Sequence, residues 1–467
     1  MVLTKDASSG GGTPTYTYDA DGNLLTAQDA GGTTTYAYND LDQLTSLTDE
    51  AGDLWQFGYN QAGERKQTWF DTNTANTSWA AEFVTSYDPG GRISRIQDYR
   101  DSTTADVVSD VSYCYTKYVS GTTCPTPTAS TDTSLVQYSV NNQTSAVSQY
   151  SYDKGSRLTG ATNDGGATYS YTYNYDGDVT AGSSAGAESY NLANQITNAG
   201  YAYDGAGNTT AAPGNGASAY NDAGQLTGLG NAGGSGAESF AYAGDSQDQL
   251  LSDGSATAIT YGLAAQDGQP AITSYAPKGQ AADYVIRDQQ GDSLGYVQNG
   301  AGYAYATDDL GSVTSVLCTA GTVTAGYAYD PYGHVTATTG TGYTNNLISF
   351  TGALQDPGSS NYTHLGDRWY NPVTANFTSQ DQNSTLDNPA NGNRYAYAAD
   401  NPANNIDPTG ANSACDVAGL TIGIGATILA GVAGILFPPL GVALLVGSVA
   451  GDVLIGGATE ACNMTFR

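Results

Sequence analysis

The chain has 467 residues, of which 36 are tyrosine and 60 are glycine, while only 13% are charged. Acidic residues outnumber basic ones by 45 to 14, and the net charge of -31 argues against a nucleic-acid partner, because phosphate backbones are bound through Lys and Arg. This composition favours strands and turns over helices. Residues 1–12 are polar and lack the apolar core of a signal peptide. Since the tyrosine pattern is already under way at Tyr16, we expect the chain to be a piece of a longer product.

A tyrosine-containing unit recurs along the chain with the pattern Y-x-Y-[DN]-x-x-G-x-[LI]-T. Alternation in Tyr-x-Tyr puts both rings on one face of a strand. The following Asp or Asn favours a turn, Gly supplies a positive φ, and the apolar residue with Thr begins a return strand. Each unit therefore predicts one β-hairpin, and hairpins must stack because one alone is marginally stable. Copies lie at 16–24, 36–45, 150–159, 201–208 and 220–227.

These copies resemble the RHS/YD-repeat family, which includes bacterial RHS polymorphic toxins, C subunits of insecticidal toxin complexes and animal teneurins. The resemblance covers residues from about 14 to 410. It implies an all-β fold in which a spiralling array of YD β-hairpins forms a hollow shell. We assign residues 1–300 to this repeat shell.

A second pattern occupies residues 301–410 and resembles the RHS repeat-associated core domain, which closes the shell as a plug. It includes Tyr362–Pro372 and ends with Asp407-Pro408-Thr409-Gly410. The core motifs that carry this resemblance contain Arg368, Tyr370, Tyr395, Tyr397, Asn401, Pro408 and Gly410.

In many members of this family the core is an intramolecular aspartyl protease that cuts just after a final D-P-x-G-L. Two carboxylates suit that chemistry, because one activates water while the other, protonated, polarises the carbonyl. By position, the resemblance assigns this pair to Asp381 and Asp407. Gln-Asn-Ser follows Asp381 in place of Pro-x-Gly, and Ala411 replaces the leucine. The alternative is that both aspartates are turn residues and that Arg368 forms a structural ion pair, so enzymatic activity is at most autoproteolysis.

Four of the five cysteines are candidates for disulfides. Cys114 and Cys124 flank a loop, and Cys415 and Cys462 bracket the C-terminal segment. With only two histidines and no C-x-x-C motif, the sequence predicts neither a metal site nor a cofactor.

The composition changes in residues 411–467, which we call the tip. Val417–Phe437 carries no charge and is long enough to span a bilayer, and Pro438-Pro439 separates it from a second apolar run at 440–450. The pattern predicts a short apolar helical tip, with 417–451 as the segment for membrane association. In the resembled family this segment is the variable effector, often a toxin. Membrane insertion, anchoring and packing inside the shell remain open alternatives.

Together these features predict a secreted or cell-surface carrier of a polymorphic toxin, whose β-shell encapsulates or presents the tip. The expected partners are the surface or membrane of a target cell and an immunity protein. The alternative is a cell-surface adhesive repeat protein that binds carbohydrate through exposed tyrosines and is anchored by its apolar tail.

Overall fold

The computed structural model describes residues 2–4 and 14–411, apart from gaps at 164, 183, 231–237, 244–248, 255–256, 265–269, 278–279, 343–345, 357–360 and 383–391. The predicted helical tip, with Cys415 and Cys462, lies outside these residues. Across the described ranges, no helix has both the length and the apolar character needed to cross a membrane. The apolar segment predicted for membrane association, 417–451, is not among those ranges.

Nearly all regular structure in the described residues is antiparallel β, which confirms the predicted fold class. Within each sheet, every strand pairs with the next strand in the chain, so that the sheets grow hairpin by hairpin. The first sheet contains β1 (Val2–Thr4), β2 (Thr15–Tyr18), β3 (Leu24–Gln28), β4 (Thr33–Tyr38), β5 (Leu44–Thr48), β6 (Leu54–Tyr59), β7 (Arg65–Phe70), β8 (Ala81–Tyr87), β9 (Ile93–Arg100), β10 (Thr103–Cys114), β11 (Tyr138–Asn141), β12 (Ala146–Tyr152), β13 (Leu158–Thr162) and β14 (Thr168–Ser170).

A two-stranded hairpin lies between this sheet and a second large one in the chain. The second large sheet runs past residue 300 and ends at Gly340. The hairpin is β15 (Thr172–Tyr173) and β16 (Val179–Ala181). The second sheet contains β17 (Ala202–Tyr203), β18 (Thr209–Ala212), β19 (Gly216–Tyr220), β20 (Leu226–Leu229), β21 (Glu238–Tyr242), β22 (Leu250–Asp253), β23 (Thr257–Ala264), β24 (Pro270–Pro277), β25 (Asp283–Arg287), β26 (Ser293–Gln298), β27 (Ala301–Thr307), β28 (Val313–Cys318), β29 (Val323–Tyr329) and β30 (Val335–Gly340).

A four-stranded sheet lies in the C-terminal part of the described chain. It contains β31 (Leu354–Gln355), β32 (Thr363–Leu365), β33 (Arg368–Asn371) and β34 (Asn376–Phe377). Short 3-10 helices at Phe350–Gly352 and Ala398–Asp400 flank this sheet in the chain.

In many hairpins, an acidic or amide residue directly after the first strand forms the predicted turn. In the β2–β3 hairpin, Asp19 Oδ1 accepts hydrogen bonds from the N–H groups of Asp21 at 2.9 Å and Asn23 at 2.8 Å. Gly22 takes the position with positive φ, at 96°. The same pair of side-chain bonds recurs at Asp88, Asp204, Asn221, Asp288 and Asp308. These turns set the hairpin geometry through short-range contacts.

The last tyrosine of a unit ties its hairpin to the preceding one. Tyr59, at the end of β6, donates its hydroxyl hydrogen bond to the carbonyl of Leu44, the first residue of β5, at 2.9 Å. We call this recurring bond the tyrosine ladder. Its other rungs, at 2.6–3.0 Å, join Tyr38 to Leu24, Tyr87 to Arg65, Tyr115 to Ile93, Tyr173 to Leu158, Tyr242 to Leu226 and Tyr329 to Val313.

The two large sheets pack against each other through a shared apolar cluster. Trp55 and Phe70 of the first sheet pack with Val297 of the second in this cluster. A buried ion pair between Arg65 and Asp288, at 2.7 Å, also joins the two sheets. The four-stranded sheet packs on the second large sheet within another cluster that places aromatic residues of the two together.

Candidate functional site in the C-terminal core

Arg368 lies at the centre of the C-terminal core, where it begins β33 with only 6% of its surface exposed. Its Nη2 atom lies 3.4 Å from Asp381 Oδ2 and 3.7 Å from Asp407 Oδ2. The structure therefore brings both aspartates of the predicted pair to one guanidinium group.

The remaining donors of Arg368 bind backbone carbonyls. Nη1 donates to the carbonyls of Arg394 at 2.9 Å and Ser379 at 3.4 Å, and Nε donates to that of Gly410. The guanidinium carbon also lies 3.6 Å from the centre of the Phe377 ring, within range of a cation–π contact. One side chain thus connects β33 with three other segments of the core.

The last described turn, residues 407–411, contains two hydrogen bonds to the Thr409 hydroxyl group. Asp407 Oδ1 accepts a hydrogen bond from Thr409 Oγ1 at 3.2 Å, and the Ala411 N–H donates to the same hydroxyl at 3.2 Å. Gly410 has a φ of 61°, and a Cβ atom there would clash with the carbonyl of Leu365. Glycine is therefore required at this position both by the backbone conformation and by space.

Burial changes the pKa of Asp407. It raises the pKa of Asp407 to about 6, although the Arg368 charge and the Thr409 hydrogen bond oppose the shift and the Asp381 charge adds to it. Burial also lowers the pKa of Arg368, against the attraction of both aspartates. A carboxyl group that binds a proton near neutral pH beside a second carboxylate is suited to general acid–base chemistry.

The tyrosines of the predicted core motif have packing and anchoring contacts. Tyr370 and Tyr397 are fully buried with ring centroids 4.5 Å apart, and the Tyr370 hydroxyl donates to the carbonyl of Tyr332 at 2.8 Å. The Tyr395 hydroxyl donates to the carbonyl of Gly207 at 2.6 Å. The hydroxyl bonds of Tyr370 and Tyr395 join this region to the second large sheet. Tyr397 lies beside Asp407, and burial together with the charge of Asp407 raises the pKa of that tyrosine.

Asn401 and Pro408 shape the chain around the pair. Asn401 Oδ1 accepts a hydrogen bond from Asn404 at 2.8 Å, and Pro408 follows Asp407 in the last turn. Asn404 in turn accepts from the Val136 N–H at 2.7 Å and donates to the Tyr152 hydroxyl at 2.9 Å. This segment therefore also contacts the first large sheet.

Sequence reasoning did not identify Arg394 and Thr409 as site residues. Arg394 donates from Nη1 to Gln380 Oε1 at 2.9 Å and from Nη2 to the Asp381 carbonyl, so it holds the segment that carries Asp381. Its position directly before Tyr395 in the core motif was the available signal.

The structure joins Cys114 and Cys124 in a disulfide, with Cα atoms 5.1 Å apart. Cys114 is 1% exposed and packs with Tyr138 and Val140, so the bond anchors the following loop to a small apolar cluster. Cys318 is a free cysteine. The disulfide lies outside the contacts of the aspartate pair.

Comparison with known protein families identifies the family of this chain. Residues 132–403, more than half of the chain, match the family model described as the teneurin YD-shell. The chain belongs to the teneurin YD-shell family. The resemblance drawn from the repeated tyrosines is thereby confirmed.

Solved structures share the fold of this YD-shell. A mutant form of the Photorhabdus luminescens Tc holotoxin pore matches it with a TM-score of 0.61 at 19% identity, covering 85% of this chain and 21% of that one. A crystal structure of TcdB2-TccC3-Cdc42 also gives a TM-score of 0.61, at 18% identity, covering 87% of this chain and 22% of that one. Identities this low indicate shared fold alone.

One curated relative is the tRNA3(Ser)-specific nuclease WapA of Bacillus spizizenii. It is 32% identical over 122 residues, which make up 26% of this chain and 5% of WapA. The chain thus spans about a fifth of the structural relatives and a twentieth of this nuclease.

Proposed function

We propose that this chain is the shell and core of a secreted toxin carrier, and that the tip is its cargo. The observation that carries this proposal is the burial of the chain where the tip begins. Asp407 and Thr409 are 2% and 3% exposed, and Arg368 holds the Gly410 carbonyl. The residues that directly precede the tip are therefore packed in the core. The likeness of the fold to a Tc holotoxin and the match to a nuclease support the same role.

The contacts of the core support its role as a plug, with residues 1–300 as the wall. Asn404 donates to Tyr152 in β12 of the first large sheet, and Tyr395 donates to the Gly207 carbonyl between β17 and β18 of the second. Asn393 binds Asp178 in the two-stranded hairpin at 3.0 Å. A plug held from three sides is suited to closing a shell around a tethered peptide.

Limited proteolysis of the full chain tests the enclosure. Chymotrypsin is suitable, because the tip contains Leu420 and Leu436 but no Lys or Arg before Arg467. The exposed turn residues Tyr175 and Leu192, at 102% and 101% exposure, are internal controls. We expect cleavage at these turns while the tip stays intact. Cleavage within the tip before these turns would contradict enclosure.

We further propose that the core releases the tip by cleaving the peptide bond after Ala411. Ionised Asp381 would accept a proton from water as the water oxygen attacks the Ala411 carbonyl carbon, and protonated Asp407 would donate its proton to the departing amide nitrogen. The proximity of both aspartates to Arg368 and the raised pKa of Asp407 support these roles. The hydrogen bonds of Thr409 and Gly410 would hold the peptide in place.

Intact mass measurement of the purified chain tests the cleavage. We expect a fragment that ends at Ala411, and its loss in Asp407→Asn. Asp204→Asn is the matched control, since asparagine occupies the same turn position in other repeats and should leave cleavage unchanged. A wild-type chain that stays intact, or equal cleavage in Asp407→Asn, would remove the proposal.

The apolar composition of 417–437 supports membrane insertion as the action of the released tip on a target cell, with an immunity protein protecting the producer. Expression of the full chain in bacteria should lower the membrane potential more than Asp407→Asn does. A potential unaffected by the cleaved wild-type chain would argue against a membrane-active tip.

A further inference from the structure

Three carboxylates converge where the second large sheet meets the four-stranded sheet. Glu238 begins β21, Asp253 ends β22, and Asp356 directly follows β31. One oxygen from each residue lies within 4.8 Å of the oxygens of the other two. We call these three residues the acidic cluster.

Strand register explains the convergence. Phe240 pairs directly with Asp253, so both side chains lie on one face, and Glu238 shares that face because it precedes Phe240 by two residues. The four-stranded sheet packs on this face, with Trp369 5.0 Å from Phe240. Asp356 is held beside that sheet, because its N–H donates to the carbonyl of Tyr362, which directly precedes β32.

Asp253 has an acid, and no base, beside it. It is 1% exposed, its Oδ2 accepts no hydrogen bond from an N–H group or a neutral hydroxyl of the described residues, and its side-chain partner is the carboxyl group of Asp356. Within the same ranges it forms no ion pair with a basic side chain, whereas Arg65 and Arg368 each pair with buried aspartates. An uncompensated buried carboxylate is costly, and two more carboxylates beside it increase the cost. A bound cation would remove this penalty.

We propose that the acidic cluster binds a divalent cation of the calcium type. Calcium binds carboxylate oxygens at about 2.3–2.6 Å, so two oxygens on one ion can lie up to about 5 Å apart, which accommodates the observed spacing. Three carboxylates supply three to six of the six to eight oxygens that calcium takes. Calcium suits a largely buried site better than magnesium, which retains several of its waters.

The ion connects the wall of the shell to the core. Glu238 and Asp253 belong to a hairpin of the second large sheet, and Asp356 belongs to the connection between β31 and β32. Binding to the folded chain alone stabilises it by mass action. Removal of calcium is therefore expected to loosen the contact between this hairpin and the four-stranded sheet.

Calorimetric titration of the full chain, freed of metal with EDTA, with calcium chloride tests the site. We expect saturable binding of one ion to the acidic cluster and a rise in the melting temperature with calcium. In Asp253→Asn the binding should weaken at least tenfold. Without calcium, this variant should melt at a higher temperature than wild type, because folding must either protonate Asp253 or bury its charge, and asparagine avoids both costs. With calcium, the order should reverse.

The matched control is Asp283→Asn. Asp283 is also fully buried in the second large sheet with an Oδ2 that accepts no hydrogen bond from the described residues, but it lies outside the acidic cluster. Its variant should bind calcium as wild type does. Asp356→Asn repeats the test if Asp253→Asn does not fold. Absence of saturable binding, unchanged binding in both cluster variants, or tighter binding of magnesium chloride would overturn the calcium assignment.

Discussion

Replacing Arg368 by methionine should destabilise the C-terminal core strongly and in a pH-dependent way. The substitution retains much of the apolar stem but removes the charge that faces Asp381 and Asp407. It also removes the donors to the carbonyls of Arg394 and Gly410. Breaking a buried ion pair by removing one partner costs about 3–5 kcal/mol, because the other charge stays buried. This is a large share of the roughly 5–15 kcal/mol that stabilises a typical domain.

The cost should be greater at pH 8 than at pH 5. Burial already raises the pKa of Asp407 to about 6 in the presence of Arg368, and losing that charge raises it further. At pH 5 Asp407 is mostly protonated with or without Arg368, so the variant loses less. At pH 8 the wild type stabilises an ionised Asp407 that the variant must protonate or leave unpaired.

Urea unfolding followed by tryptophan fluorescence measures this effect, because Trp369 is adjacent to Arg368 and 3% exposed. For a slope of about 2–3 kcal/mol per molar urea, the midpoint at pH 8 should fall by about 1–2.5 M. Arg157→Met is the matched control: Arg157 pairs with Asp153 at 2.7 Å, but both side chains are more than a quarter exposed. Exposed pairs contribute about 0–1 kcal/mol. Equal shifts for both variants, or equal shifts at the two pH values, would refute this reasoning.

Three further predictions concern the shell. Tyr59→Phe should lower the free energy of unfolding by about 1 kcal/mol in urea titrations by removing one rung of the tyrosine ladder, whereas Tyr175→Phe, at a fully exposed ring, should leave it unchanged. Burial raises the pKa of Asp98 to about 8, so the folded state binds this proton more tightly than the unfolded state. The contribution of Asp98 to the free energy of unfolding should therefore be complete below about pH 4 and fall by more than about 2 kcal/mol as the pH rises through 8. Asp98→Asn should flatten this dependence of stability on pH. Cys124→Ser opens a disulfide with a sequence separation of 10 and should cost about 2–3 kcal/mol, seen as a lower melting temperature; an effect that persists equally in reductant would contradict this cause.

The hairpins were predictable because their determinants are local. The hydrogen bonds that Asp19 accepts from Asp21 and Asn23 join residues at most four positions apart, so one copy of the motif specifies one turn. The aspartate pair was predicted only through family resemblance, because its meeting at Arg368 depends on how distant segments pack. The acidic cluster joins residues 238, 253 and 356 across separate elements, and no spacing in the sequence indicates such a contact.

The tyrosine ladder gives a physical reason why this chain contains 36 tyrosines and 8 phenylalanines. Phenylalanine could supply the same ring for packing, but it could not donate to the carbonyl of the preceding hairpin. The bond forms where the register of the strand pair shifts, as it does between Ala37 and Tyr38. A hydroxyl at that point links adjacent units directly, so each hairpin is positioned by its neighbour. A wall built from such nearest-neighbour contacts can be lengthened by adding hairpins.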